Sequence, residues 1–429
     1  MTAEVVLMNK QAVALAADSA VTIMGSKIFN SANKLFNLAP GYPIGILIYN
    51  NAELMGIPWE IIIKFYREYI LESKTRFTSL QEYGDHFIQF LDKRKETLFN
   101  EAQQETFVRQ LMQGLMQNDI RATVRKKLEE IILQTAARVS DDDVVQITKA
   151  VIEGLCNSWQ ESPDLFPTLN TVEIEEKFQE CYGDIFEEIF NNFLSNLPIS
   201  KTDKARLKRM CAQWSYKERW FLSIFSGVVF AGYGENELFP TCIAYQFEGM
   251  MCNQLKYKAL PGVSISFDKI HAGFLPFAQD DVMRNVLGGI HPQYLQALLS
   301  SLENMFIQIH PERIVDSISG LSVSDKSRLL PILTDINTRA LQEVFDKVNR
   351  IVATDITDPI MQILTVLPKD ELASMAETLV SITSFMRRVS NSRETVGGPI
   401  DVAVISKKDG FIWIKRKHYF DSEHNYEFL

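Results

Sequence analysis

MTAEVVLMNKQAVALAADSAVTIMGSKIFNSANK, residues 1–34, is the stretch from which the fold is read. Two apolar runs, Ala3 to Met8 and Ala12 to Ala17, flank the polar triplet Asn9, Lys10 and Gln11. Runs of strand length around a short polar loop predict a β-hairpin. With the loop centred on Lys10, paired residue numbers sum to twenty, so Met8 faces Ala12, Glu4 faces Ala16 and Thr2 faces Asp18. Directly opposed residues of an antiparallel pair stand about 5 Å apart at Cβ. The expected register therefore sets residue 2 beside a carboxylate.

That placement has chemical content because Thr2 follows the initiator methionine. Threonine is small, so Met1 is an expected substrate for removal, which leaves Thr2 with a hydroxyl and a free α-amine. A hydroxyl nucleophile needs a base. An α-amine has a reference pKa of about 7.7 to 8, whereas lysine sits near 10.4 and stays protonated. An N-terminal amine acting as base for its own hydroxyl is an established arrangement. A nearby ammonium depresses the amine pKa and favours its free-base form. Lys34 is the candidate for that ammonium, with Asp18 to orient it. Glu4 and the polar triplet interrupt the apolar run, which argues against a secretory segment.

Thr2, Asp18 and Lys34 stand at the mutual spacings of the nucleophile, aspartate and lysine of proteasome β-subunits and the HslV-type peptidase. AVALAADSAVT resembles that family's strand ending in an aspartate, and SANKLFNL resembles its lysine segment. GILIYNNAELMG, VVFAGYGENELFPTCIAYQFEG and ETVGGPIDVAVISKKDGFIWIKR follow in the family's order, the last resembling its Gly-Gly hairpin. The resemblance implies an α+β fold, the four-layer αββα sandwich of N-terminal nucleophile hydrolases, with a core at 1–98, 216–291 and 367–429 and helical insertions at 99–215 and 292–366.

It also implies threonine peptidase activity without a cofactor. Thr2, Asp18 and Lys34 would be catalytic, and backbone N–H groups near Tyr49 would meet the oxyanion. Thr22 would contact substrate, and Val21, Ala32, Phe36 and Leu47 would line an apolar pocket. The implied partners are a peptide or protein substrate, further copies of the chain and an ATP-driven unfoldase. Two departures stand out. Gly273 occupies the place of a supporting serine, and Glu394 or Thr395 would have to replace the supports before Gly397 and Gly398. Other readings of the same residues are an amidohydrolase of small amides and a catalytically silent scaffold that binds partners through its helical insertions.

Composition bounds these readings. The chain has 429 residues, 46% hydrophobic and 23% charged, with 54 acidic against 44 basic residues. A formal charge of −10 disfavours nucleic acid or an anionic membrane as the main partner. No apolar run approaches the roughly eighteen residues of a membrane span. Five scattered cysteines without a C-x-x-C pair fit reduced thiols in the cytoplasm. The six histidines show no metal-binding spacing, so no metal site is expected.

Along the chain, periodicity predicts strands at Lys34 to Leu38 and Ile44 to Ile48, then helices at Ala52 to Leu71, Ser79 to Leu98, Thr106 to Met116, Ile120 to Ala137, Asp143 to Trp159, Glu173 to Phe193 and Ser200 to Trp214. Strands return at Leu222 to Gly232, Cys242 to Phe247 and Met251 to Tyr257. Phe277 to Leu287 reads as helical, and residues 292–390 continue so, with Pro331, Pro359 and Pro368 as punctuation. Ile400 to Ser406 and Phe411 to Lys415 close the chain around an Asp409-Gly410 hairpin turn.

Overall fold

A computed structural model of the chain describes residues 3–23, 27–135, 139–166, 170–221, 224–278, 281–389 and 396–418. It divides into two compact units, Met1–Tyr49 with Ala231–Cys242 and Val263–Leu429, and Asn50–Phe230 with Ile243–Gly262. The architecture is mixed α/β, with antiparallel sheets and a helical majority.

The strands in chain order are β1 (Ala3–Asn9), β2 (Val13–Ala17), β3 (Val21–Ile23), β4 (Lys27–Phe29), β5 (Leu35–Asn37), β6 (Ile44–Asn50), β7 (Glu53–Leu54), β8 (Ile57–Pro58), β9 (Ser226–Gly232), β10 (Thr241–Met251), β11 (Gln254–Ser264), β12 (Ala272–Ala278), β13 (Asp401–Ser406) and β14 (Gly410–Lys415). In the first unit a five-stranded sheet runs β12-β1-β2-β13-β14. Its centre is wholly buried: β2 is apolar throughout, and β1 is apolar but for Glu4 and Asn9. Ala3, Val5, Leu7, Ala14 and Ala16 meet Leu372, Ala376, Leu379 and Val380 of helix Lys369–Val389. Those helical residues recur at threes and fours, the spacing of one helix face. On the opposite face Leu15 and Ile405 lie so close under Gly45 of β6 that a Cβ there would stand 2.3 Å from Leu15 Cδ1.

In the second unit helices Trp59–Ser73 and Leu80–Lys93 pack on β9 and β10 through Trp59 against Phe247 at 5.2 Å and Phe87 against Phe230 at 5.3 Å. A separate helical core joins Phe107, Met112, Trp159, Phe186, Leu207 and Trp214. Four of its helices start at polar caps, Asn100, Ser140, Asn170 and Ser200, each of which accepts from a backbone N–H of the first turn.

Four expectations need correction. The β1–β2 register sums to twenty-one, with Met8 opposite Val13 and Glu4 opposite Ala17. Asn9 belongs to the strand, and its Oδ1 accepts from the Gln11 and Ala12 N–H groups at 2.9 and 3.2 Å, which closes a two-residue loop at Lys10 and Gln11. Phe277 and Ala278 end a strand and do not open a helix; the helix runs from Asp281 to Gly288. Pro276 gave no strand signal, but β12 is an edge strand, where a missing N–H is tolerated. The first long helix begins at Trp59 and not Ala52, because Met55 (φ 51°) and Gly56 (φ 80°) turn β7 into β8. Pro331 does not break its helix but lies inside Val323–Val352.

Candidate active site

The corrected register places Ala3 across from Asp18. The Asp18 N–H donates to the Ala3 carbonyl at 3.2 Å, and the Ala3 N–H donates to Asp18 Oδ1 at 3.1 Å. That N–H is the nitrogen of the peptide bond joining residues 2 and 3. The carboxylate is thus fixed to the backbone at the point where residue 2 is attached.

Asp18 is fully buried and takes four donors. Besides Ala3, Lys34 Nζ donates to Oδ1 at 2.5 Å, and the N–H groups of Ala20 and Gly397 donate to Oδ2 at 3.2 and 3.0 Å. An ionised carboxylate offers about four lone-pair sites, so its capacity is filled. Lys34, 2% exposed, immediately precedes β5. Its carbonyl accepts from the Ile48 N–H at 2.9 Å, which registers Lys34 against β6 one residue before Tyr49. A second carboxylate approaches the same ammonium, with Glu4 Oε1 3.8 Å from Lys34 Nζ and Glu4 entirely buried. Two acids and one base share a dry site, and an ion in such a site is sustained only by close pairing.

Gly397 and Gly398 complete the enclosure. Ser19 N–H donates to the Gly397 carbonyl at 3.1 Å, and Ser19 Oγ donates to the Pro399 carbonyl at 2.5 Å. Gly398 has φ 77°, and a Cβ there would lie 2.7 Å from Asn30 Cβ, so only glycine fits.

Asp18 and Lys34 are therefore brought together, and Tyr49 lies beside them. The Tyr49 ring is 5.3 Å from that of Phe277, which pairs with Glu4 across β1 and β12. Tyr49 is 7% exposed. Thr22 lies on β3 opposite Ile28, while Thr2, Glu394 and Thr395 fall outside the described residues. Phe36 and Leu47 are 6% and 1% exposed, core residues of the β5–β6 pair and not the lining of an open pocket. Gly273 pairs with Met8, five residues along β1 from Ala3, so it is far from the carboxylate. At about 3.4 Å per residue the separation is roughly 17 Å. The expected place of a supporting serine is therefore not at Gly273.

Sequence reasoning passed over Glu4 and Phe277. The signal for Glu4 was present: a single charged residue inside the buried run AEVVLM requires a partner. What the cluster can do chemically is hold a fixed ammonium, screened from water, on the carboxylate that also binds the Ala3 N–H.

No family model matches the chain, and no curated protein matches it. Solved structures that match include an Anbu (Gly-1) mutant from Hyphomicrobium sp. strain MC1, at 11% identity over 97% of this chain and 86% of that one, with a TM-score of 0.26. Another is Anbu (ancestral beta-subunit) from Yersinia bercovieri, at 8% identity over 97% and 88%, also with a TM-score of 0.26. A further Anbu structure from Hyphomicrobium sp. strain MC1 shows 10% identity over 97% and 86%, with a TM-score of 0.24. The assignment to proteasome β-subunits and the HslV-type peptidase is corrected by these results, since the matching structures named are Anbu proteins. At such TM-scores the likeness carries no argument about activity. Among the described residues no helix is long and apolar enough to cross a membrane.

Proposed function

We propose that the chain is an amide-bond hydrolase whose nucleophile is the Thr2 hydroxyl, exposed with its α-amine by removal of Met1. The reading rests on one observation: the buried Asp18 carboxylate binds both the Lys34 ammonium and the N–H through which residue 2 is attached. The α-amine takes the hydroxyl proton as Oγ attacks the carbonyl carbon, and it returns the proton to the departing amine. Water then cleaves the ester and regenerates the hydroxyl. Lys34 lowers the proton affinity of the amine by its charge. Backbone N–H groups beside Tyr49 stabilise the oxyanion.

The substrate of this proposal is a peptide or protein, in the cytoplasm, with self-assembly and an ATP-driven unfoldase as the partners that would deliver it. Thr22 belongs to the same proposal as a substrate contact. So does a four-layer αββα sandwich interrupted by helical insertions at 99–215 and 292–366. A small amide is the competing substrate, favoured by the buried Tyr49 ring.

Intact mass of the purified protein, with and without a threonine-directed epoxyketone or β-lactone, tests the nucleophile. Loss of Met1 and a stoichiometric adduct that Thr2→Ala abolishes are expected. A retained Met1 with no adduct overturns the proposal and leaves a partner-binding scaffold.

A further inference from the structure

Between helices Asp141–Gln160, Thr171–Leu194 and Lys201–Gln213 lies a cavity of about 340 Å³ that no step of the proposed hydrolysis uses. Its size is at the small end of the roughly 300 to 1,000 Å³ typical of ligand sites. That suits a metabolite and not a peptide segment.

The lining carries three cations, Arg206, Arg209 and Lys217, and two carboxylates, Asp164 and Glu175, and each cation has an acidic partner. Lys217 Nζ pairs with Asp164 at 2.9 Å, and Arg209 Nε pairs with Glu175 at 3.0 Å. Arg206 Nη1 is 3.5 Å from Glu153, and its Nη2 donates to Asn157 Oδ1 at 3.1 Å. Three cations thus meet three carboxylates, and a lone anion would find each cation already neutralised. Tyr216 Oη donates to Glu175 at 2.7 Å and fixes that carboxylate at the wall.

One lining group stands outside this balance. Gln213 is 7% exposed and lines the cavity, and its side chain has no hydrogen-bond partner among the described residues. Its amide offers two donors and an acceptor to a molecule in the cavity. Beside it Met210 and Cys156 give an apolar floor. Burial pushes the Cys156 thiol up to about 11, so it is a neutral wall and not a nucleophile at physiological pH.

We infer that this cavity binds a free α-amino acid with a neutral polar side chain, its carboxylate and ammonium inserting into the Lys217–Asp164 and Arg209–Glu175 pairs and its side chain bonding the Gln213 amide. A zwitterion adds one charge of each sign and so leaves each cation–carboxylate pair balanced. A side-chain amide or hydroxyl satisfies Gln213. The site is separate from the Asp18 cluster and does not depend on Thr2 chemistry.

Calorimetric titration of the full chain with L-glutamine, L-asparagine and L-serine, and with inorganic phosphate as the anion control, tests this. Saturable binding of at least one amino acid is expected, with phosphate silent. Gln213→Met, similar in volume but without the amide, should weaken that binding at least tenfold. Should Gln213→Met fail to fold, Arg209→Met decides, because its side chain is 69% exposed and its removal should still weaken binding at least threefold. Absence of binding by all three amino acids, binding of phosphate instead, or unchanged affinity in the folded variants overturns the inference.

Discussion

Two buried lysines, Lys34 and Lys256, each contact a buried carboxylate, yet they occupy different kinds of site. Lys256 Nζ donates to Glu248 and to the Arg219 carbonyl at 2.6 Å each, while Glu248 accepts from the Phe221 N–H at 2.6 Å. One acid meets one base, and together they fasten residues 219–221 to β10 and β11. Lys34 instead meets two carboxylates, and Asp18 spends its other bonds on the Ala3, Ala20 and Gly397 backbone. A buried lysine is thus not itself evidence of a site. What distinguishes Lys34 is that its partner also holds the chain where a nucleophile is expected.

The sharpest way to break this comparison is to remove each ammonium. Lys34→Met should lower amide hydrolysis per folded molecule by about 100-fold or more, the scale of losing proton-transfer support. Lys256→Met should leave hydrolysis per folded molecule unchanged; a common loss of activity would erase the distinction. Both should be less stable by roughly 3 to 5 kcal/mol in denaturant titrations, because each strands a buried carboxylate. Adding Glu4→Gln to Lys34→Met should recover part of that stability without recovering activity.

Titration separates the two centres more finely. Burial raises the Glu248 pKa above its ordinary 4.5, and burial lowers that of Lys256 below 10.5. A raised folded pKa means stability that is full below 4.5 and declines as pH rises toward the folded value. A lowered lysine pKa restores stability as pH rises through that folded value toward 10.5. Unfolding free energy followed across pH should therefore dip between these limits, and the double variant Glu248→Leu, Lys256→Met should flatten the dip. A dip that persists in that variant would assign it to other groups.

Smaller effects are expected at two glycines. Gly398→Ala must place a Cβ against Asn30 at φ 77°, next to the N–H that binds Asp18, and should cost about 1 to 3 kcal/mol and reduce activity. Gly410 has the same φ of 77° but open space around it, so Gly410→Ala should cost about 1 kcal/mol and spare activity. Equal activity losses would detach the Gly397–Gly398 loop from the site.

Much of this architecture was legible because burial imposed periodicity on it. The apolar runs of β1, β2 and β6, the Asp409-Gly410 turn and the threefold and fourfold spacing of helix Lys369–Val389 each satisfied one local rule. The register was not legible, because whether Asn9 joins the strand or the loop depends on its side chain closing the turn. β12 was hidden by Pro276, whose cost vanishes only at an edge that sequence does not reveal. Asp18 and Lys34 were found through spacing, while Glu4 was visible as an anomaly and left unused. The cavity at Gln213 had no signal, since it forms from residues on helices distant in the chain whose polarity reads as ordinary surface.

The bond from the Gly397 N–H to Asp18 joins residues 379 positions apart. During synthesis at about 5 to 20 residues per second, roughly 20 to 75 s separate the emergence of its two ends. Until β12 emerges the β1–β2 hairpin lacks both its flanking strands, and until β13 emerges it still lacks one, exposing apolar edges that invite pairing with other chains. The nascent chain therefore needs protection from its beginning, and the Asp18 enclosure closes only when translation is nearly complete.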